Sequence, residues 1–210
     1  MEELINFKSY PVKDVLSELL IDKTTKKNII FATADYSGID EKEEITIDIL
    51  SRSDSSLIQP RVSKSLEEQT ERTRKKAEVF TPSWICNKMN NYFDTDIFAH
   101  EGVFNIEQNQ DWEPTERVIF ENQEDWKKYI DLKYLEIACG EAPFIVSRYD
   151  VVRGNIIPIY KRIGILDRKI RVVNENVDDE NDWLKWVYTS YKAVYLCQKL
   201  ISSSQCQIFL

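Results

Sequence analysis

The chain has 210 residues, long enough to bury a real core as one large domain or two small ones. With 42% hydrophobic and 30% charged residues, and only 5 Gly and 6 Pro, it is neither collagen-like nor a long disordered chain. The net charge of −8 argues against a dedicated duplex-DNA binder, which draws affinity from a basic surplus, although an acidic enzyme can still line one cleft with basic groups. Apolar runs fall far short of a membrane span and no charged-then-apolar leader opens the sequence, so a cytoplasmic protein without a membrane partner is expected. Cys86, Cys139, Cys197 and Cys206 form no CxxC pair and His100 is the sole histidine, so no metal site is expected. The thiols read as free cytosolic cysteines.

Residues 1–60 read as a small α+β region. Lys13–Leu20 has apolar positions at helical spacing. Asn28–Thr33 is a short β-prone run, and Glu44–Leu50 alternates Ile45, Ile47 and Ile49 against Thr46 and Asp48, a half-buried strand pattern. Ser51–Ser56 is a polar turn.

Residues 61–93 read as a charged linker and a capped helix. Arg61, Lys64, Arg72, Arg74, Lys75 and Lys76 are mixed with Glu67, Glu68 and Glu71. A solvated mixed-charge helix explains them better than a phosphate-contacting rim, because aromatic residues are scarce among them. Thr81-Pro82 is a helix-start signal, with Thr81 as N-cap, Pro82 at the first position, and Ile85, Met89 and Tyr92 or Phe93 following at helical spacing. Such a helix N-terminus attracts a carboxylate.

Residues 94–133 are polar and irregular, with a short strand expected at Arg117–Phe120 and a short helix at Asp125–Ile130. Residues 134–195 begin with a strand at Tyr134–Ala138, where Leu135 and Ile137 alternate with Glu136. Ala138-Cys139-Gly140 removes bulk where the chain turns and a ligand can approach the backbone. Glu141-Ala142-Pro143 then opens a helix. A ligand outside the carboxyl end of a strand, at a helix N-terminus, is the general doubly wound arrangement. Asp182 is placed to cap a helix over Trp183–Leu200 with Leu184, Val187, Tyr191, Ala193 and Val194 on one stripe. Trp183 and Trp186 beside it read as core anchors rather than base-stacking platforms. The tail, residues 196–210, turns Ser-rich and fits no periodic pattern.

The segments Glu78–Pro82 (EVFTP) and Leu135–Phe144 (LEIACGEAPF) together resemble the adenine-specific DNA methyltransferases of bacterial restriction–modification systems. The first is similar to their FTP-type segment, which contacts the methionine part of the cofactor. The second is similar to their first cofactor motif, commonly Asp-Pro-Ala-Cys-Gly-Ser-Gly-x-Phe. Further stretches, Lys27–Thr33, Gln59–Val62, Arg72–Asn87, Gly140–Asp150 and Arg162–Val177, resemble a subgroup labelled restriction endonuclease subunit M. The resemblance runs to about Tyr195.

This resemblance implies an α/β chain, with the start of a Rossmann-like methyltransferase sheet preceded by a mixed α+β region. It implies methyl transfer from S-adenosyl-L-methionine to the exocyclic amine of adenine in double-stranded DNA. The cofactor-binding residues it implies are Glu78, Phe80, Thr81, Pro82, Glu136, Ala138, Cys139 and Gly140, with Thr81 and nearby amides meeting the methionine carboxylate.

The sequence also departs from the pattern. Glu136 stands where the wider family has Asp and Ile137 where it has Pro, and Glu141 and Ala142 replace Ser and the second Gly. The Asn/Asp-Pro-Pro-Tyr/Phe tetrapeptide that holds the flipped base is absent from all 210 residues, so no catalytic residue is assigned. A truncated N-terminal portion, inactive alone, is therefore expected, with a second methyltransferase or specificity polypeptide as a possible partner. Two rivals stand beside this reading. Asp150, Asp167 and Lys169 have the loose layout of a metal-dependent restriction nuclease. Alternatively, the chain is a non-catalytic cofactor-binding or scaffolding subunit of a split enzyme.

Overall fold

The computed structural model describes residues 10, 12–22, 24–32, 36–52, 60–76, 79–137, 139–199 and 206–209. The fold is mixed α/β, in two compact units. One comprises Met1–Glu78 with Gln198–Phe209, and the other Val79–Cys197.

In the first unit, α1 (Val12–Leu19) sets Leu16 against a small core of Leu20, Ile45 and Leu50, with Ile29 and Phe31 packed on it. The β-prone run at Asn28–Thr33 forms no strand over its described residues, only isolated bridges, Ile21 with Asn28 and Ile30 with Glu44. Between them Asp22 accepts from the Thr24 and Thr25 hydroxyls at 2.7 Å and from the Thr24 amide at 2.8 Å. The hydroxyls lower its pKa to about 2.

The strand expected over Glu44–Leu50 is instead helical from Ile47, as α2 (Ile47–Arg52). Thr46 is the reason. Its hydroxyl accepts from the Ile49 amide at 3.3 Å and its carbonyl from Leu50 at 3.1 Å, while Asp48 sits in the favourable first turn. Residues 53–56 of the expected polar turn lie outside the described residues. The charged stretch forms a single 3-10 turn (Arg61–Ser63) and α3 (Leu66–Lys76). Ser65 and Glu68 cap that helix reciprocally: the Glu68 carboxylate accepts from the Ser65 amide at 2.9 Å, and the Ser65 hydroxyl from the Glu68 amide at 3.3 Å.

The second unit opens with α4 (Ser83–Phe98), which ends on Ala99 in the left-handed region at φ 57°. The irregular stretch contains a hairpin instead of a strand at Arg117–Phe120. Strands β1 (Asn105–Gln108) and β2 (Asp111–Pro114) pair antiparallel, joined through Asn109 at φ 56°. Arg171 holds the hairpin, donating to the Phe104 carbonyl at 2.9 Å and the Thr115 carbonyl at 2.7 Å.

Helix α5 (Asp125–Asp131) agrees with expectation to one residue. Strand β3 (Tyr134–Ile137) follows, and Ala138 is outside the described residues. Helices α6 (Ile165–Asn176) and α7 (Glu180–Lys192) then carry the chain to β4 (Val194–Lys199). Strand β4 pairs parallel with β3, Tyr134 facing Val194 and Ile137 facing Cys197. A parallel pair joined through helices is a βαβ unit.

Asp179, not Asp182, caps α7, accepting from the Asn181 and Asp182 amides at 3.0 Å. The helix ends at Lys192, because Ala193 and Val194 belong to the turn and strand. Leu184 and Tyr191 are exposed rather than part of a buried stripe. Trp183 and Trp186 do pack on the core formed by Val103, Phe104, Trp126, Tyr129, Ile130 and their neighbours. Trp126 meets Trp186 with ring centroids 4.9 Å apart. The tail is more regular than its composition predicts, with β4 and a further strand, β5 (Cys206–Phe209). Among the described residues no helix is long and apolar enough to cross a membrane.

Candidate cofactor site

The two segments that carry the resemblance meet. Gly140 turns at φ +52°, in the left-handed region that favours glycine, and a Cβ there would stand 3.2 Å from the Phe80 ring. The FTP-type segment is thus seated directly on the turn after β3. Phe80, Thr81 and Pro82 are half-buried, Cys139 is buried and Gly140 is exposed. Glu78 and Ala138 lie outside the described residues.

The start of α4 differs from expectation. Pro82 is the N-cap, at φ −57° and ψ 146°, and no side chain of its own segment caps the helix. The Ser83 amide instead donates to the Asp150 carboxylate at 2.9 Å, and the other Asp150 oxygen accepts from Val152 at 2.9 Å and Arg153 at 2.7 Å. Burial opposes ionisation of Asp150, but these amides outweigh it and hold its pKa below the ordinary value. The amide that Thr81 was expected to cap is therefore satisfied from sixty-seven residues away.

The helix expected at Glu141-Ala142-Pro143 does not form. The chain makes one tight turn, with Ala142 at φ 52° and its carbonyl accepting from Ile145 and Val146 at 3.1 and 2.9 Å. The carbonyls that would extend it are taken by other elements. Phe144 oxygen accepts from the Ile165 amide at 2.9 Å and from Asn90 at 3.0 Å, and Ile145 oxygen from Leu166 at 3.0 Å. Gly164 permits this approach, since a Cβ there would collide with the Ile145 carbonyl. The first full helix after β3 is consequently α6.

Glu136 lines the same turn. Its Oε2 is buried with no hydrogen-bond partner. Burial pushes its pKa up to about 7, while the backbone amides of Ile145 and Phe144 pull the other way. An orphaned carboxylate oxygen suits an N–H or cationic donor from a bound molecule. Cys86 and Cys139 are free thiols, pushed up to about 12 and about 11 by burial with Glu136's charge adding, so neither is a nucleophile at neutral pH.

The residues of the nuclease reading hold three separate joints. Asp150 caps α4. Asp167 accepts from the Ser147 amide at 2.9 Å and hydroxyl at 3.0 Å; burial raises its pKa, against those donors. Lys169, fully buried, donates to the Ile130 carbonyl at 2.6 Å and to the Leu132 carbonyl at the end of α5; burial lowers it to about 8. Among the described residues no group of three or more His, Cys, Asp or Glu could hold a metal ion.

Sequence reasoning missed the polar seam behind the site. Of the apolar residues at helical spacing along α4, Met89, Tyr92 and Phe93 lie outside, 44%, 62% and 52% exposed. Inside lie Asn87, Asn90 and Asp94, each 1% exposed. Arg168 from α6 ion-pairs with Asp94 and donates to Asn87 and Asn91 at 2.8 Å and to the Ile163 carbonyl at 3.0 Å. Asn90 also donates to the Ile163 carbonyl at 3.0 Å. The signal was present as Asn87, Asn90, Asn91 and Asp94 at helical spacing, a second stripe running beside the apolar one.

Two clefts of about 770 and 640 Å³ lie elsewhere, sharing His100 and Ile119, and none of the cofactor residues lines them. Compared with family models, curated proteins and solved structures, the chain matches none.

Proposed function

We propose that this chain is the N-terminal part of an S-adenosylmethionine-dependent DNA adenine methyltransferase of the restriction–modification type. The observation that carries the reading is the seating of Phe80 against Gly140. Two segments more than fifty residues apart, both resembling cofactor motifs, share one turn. Further support comes from the parallel β3–β4 pair with its helical connection, which is how a Rossmann-like sheet would open, and from the unpartnered Glu136 oxygen beside the turn.

Phe80, Thr81 and Pro82 would flank the cofactor on one side, with Glu136, Cys139 and Gly140 beneath it. The cofactor, when bound, supplies the methyl group. The chain's own residues bind and orient it. Duplex DNA is the partner of the complete enzyme, and a second polypeptide carrying the missing tetrapeptide would hold the target base.

Calorimetric titration with S-adenosylmethionine tests this. The wild-type chain should bind, and Gly140→Asp should not, because the new side chain meets Phe80 at a strained φ. Absence of binding to a folded wild-type chain would overturn the proposal. The chain alone should incorporate no labelled methyl into DNA; incorporation above a blank would show that the base-binding function is present without the tetrapeptide.

A further inference from the structure

Helix α4 is inside out. Beyond Cys86 its buried face is polar, with Ser83, Asn87, Asn90 and Asp94, of which Asn87 and Asp94 partner Arg168, while Met89, Tyr92, Phe93 and Ile97 form a continuous outer stripe, 44%, 62%, 52% and 44% exposed. Soluble proteins rarely leave a contiguous apolar stripe of this kind uncovered.

The charges on this face say what covers it. Lys88 and Asp96 are exposed, and neither has an ion-pair or hydrogen-bond partner among the described residues. They lie one turn either side of Tyr92, about 6 Å along the axis in each direction. A second α4 laid antiparallel across the first and centred on Tyr92 therefore brings Lys88 opposite the partner's Asp96, and Asp96 opposite the partner's Lys88. A parallel pairing would set like charges together. Self-complementarity under a two-fold axis is the signature of an isologous interface.

We infer that the outer face of α4 is a homodimer interface. Two copies pair antiparallel through Met89, Tyr92, Phe93 and Ile97, with reciprocal Lys88–Asp96 ion pairs fixing the register. The stripe is short, so the interface belongs to the small, weak class, with dissociation in the micromolar range. The inference does not rest on cofactor binding.

Sedimentation equilibrium of the full chain across the micromolar range tests it. The wild type should show a monomer–dimer equilibrium that weakens with salt. Tyr92→Glu should abolish it. Lys88→Glu and Asp96→Lys should each weaken it about tenfold or more, since each sets like charges opposite one another twice. The double variant carrying both exchanges should restore the dimer. These side chains are exposed, so unchanged circular dichroism, and unchanged unfolding midpoints at concentrations where the wild type is monomeric, should accompany every variant. A wild type that stays monomeric throughout, a dimer indifferent to Tyr92→Glu, or a double variant that fails to recover would each overturn the inference.

Discussion

Glu136 carries the clearest titration signature. In the folded chain its pKa is about 7, against about 4.3 for an unfolded glutamate, so the folded state holds the proton more tightly between these values. Its contribution to stability is therefore fully present at acid pH, declines as pH rises through that window, and is level above it. Glu136→Gln should flatten this slope. The denaturant midpoint should be unchanged near pH 4 and raised near pH 8, by about 1–2 kcal/mol after allowing for the solvent the carboxylate retains. A variant no more stable than wild type at pH 8 would show that the carboxylate finds a partner. At this scale the sequence was informative about identity and silent about environment. Leu135-Glu136-Ile137 reads as an alternating strand, and Glu136 could as easily have faced solvent. What buries it is the turn at Ala142, whose left-handed backbone no periodicity announces.

At the scale of elements, segments decided by local pattern were legible, and those decided by distant hydrogen bonds were not. Helices α1 and α5 and strand β3 lie within a residue of their expected places, because local apolar spacing and turn residues decide them. Three misread elements share one cause. Glu44–Leu50 alternates like a strand, but Thr46 offers a cap and the segment turns helical. Glu141-Ala142-Pro143 reads as a helix start, but α6 and Asn90 capture its carbonyls. Thr81 reads as an N-cap, but Asp150 arrives first. In each case a hydrogen-bonding group overrode a pattern, in the last two from far along the chain. The Asp150 cap makes a specific prediction. Asp150→Ala should cost about 1–2 kcal/mol near neutral pH, the usual loss for an N-cap. Because the folded pKa is lowered, the stabilisation is present above about pH 4 and lost as pH falls through the folded value, so wild type and variant should converge in acid. Urea melts at two pH values measure both, and equal midpoints at neutral pH would remove Asp150 from this role.

Over the whole molecule, apolar burial divides as the chain does. Leu20, Ile45 and Leu50 form one core in the first unit. The clusters around Ile130, around Ile165 and around Ile163 draw entirely on residues 84–194. Calorimetry should therefore resolve two thermal transitions, the larger enthalpy belonging to the second unit, because enthalpy scales with the number of residues ordered. A single symmetric transition whose van't Hoff and calorimetric enthalpies agree would show the units to be cooperative. The seam between α4 and α6 has a consequence for this second unit. An apolar helix face can roll by a fraction of a turn and still bury its methyl groups. The face bearing Asn87, Asn90 and Asp94 cannot, because any roll strands Arg168 beside carbon and leaves its partners unmet. The seam works as a key in a keyway. It sets the rotation of α4, and with it the direction in which Phe80, Thr81 and Pro82 leave the helix. Substitutions two or three turns from the candidate cofactor turn should therefore alter its aim while touching none of its atoms.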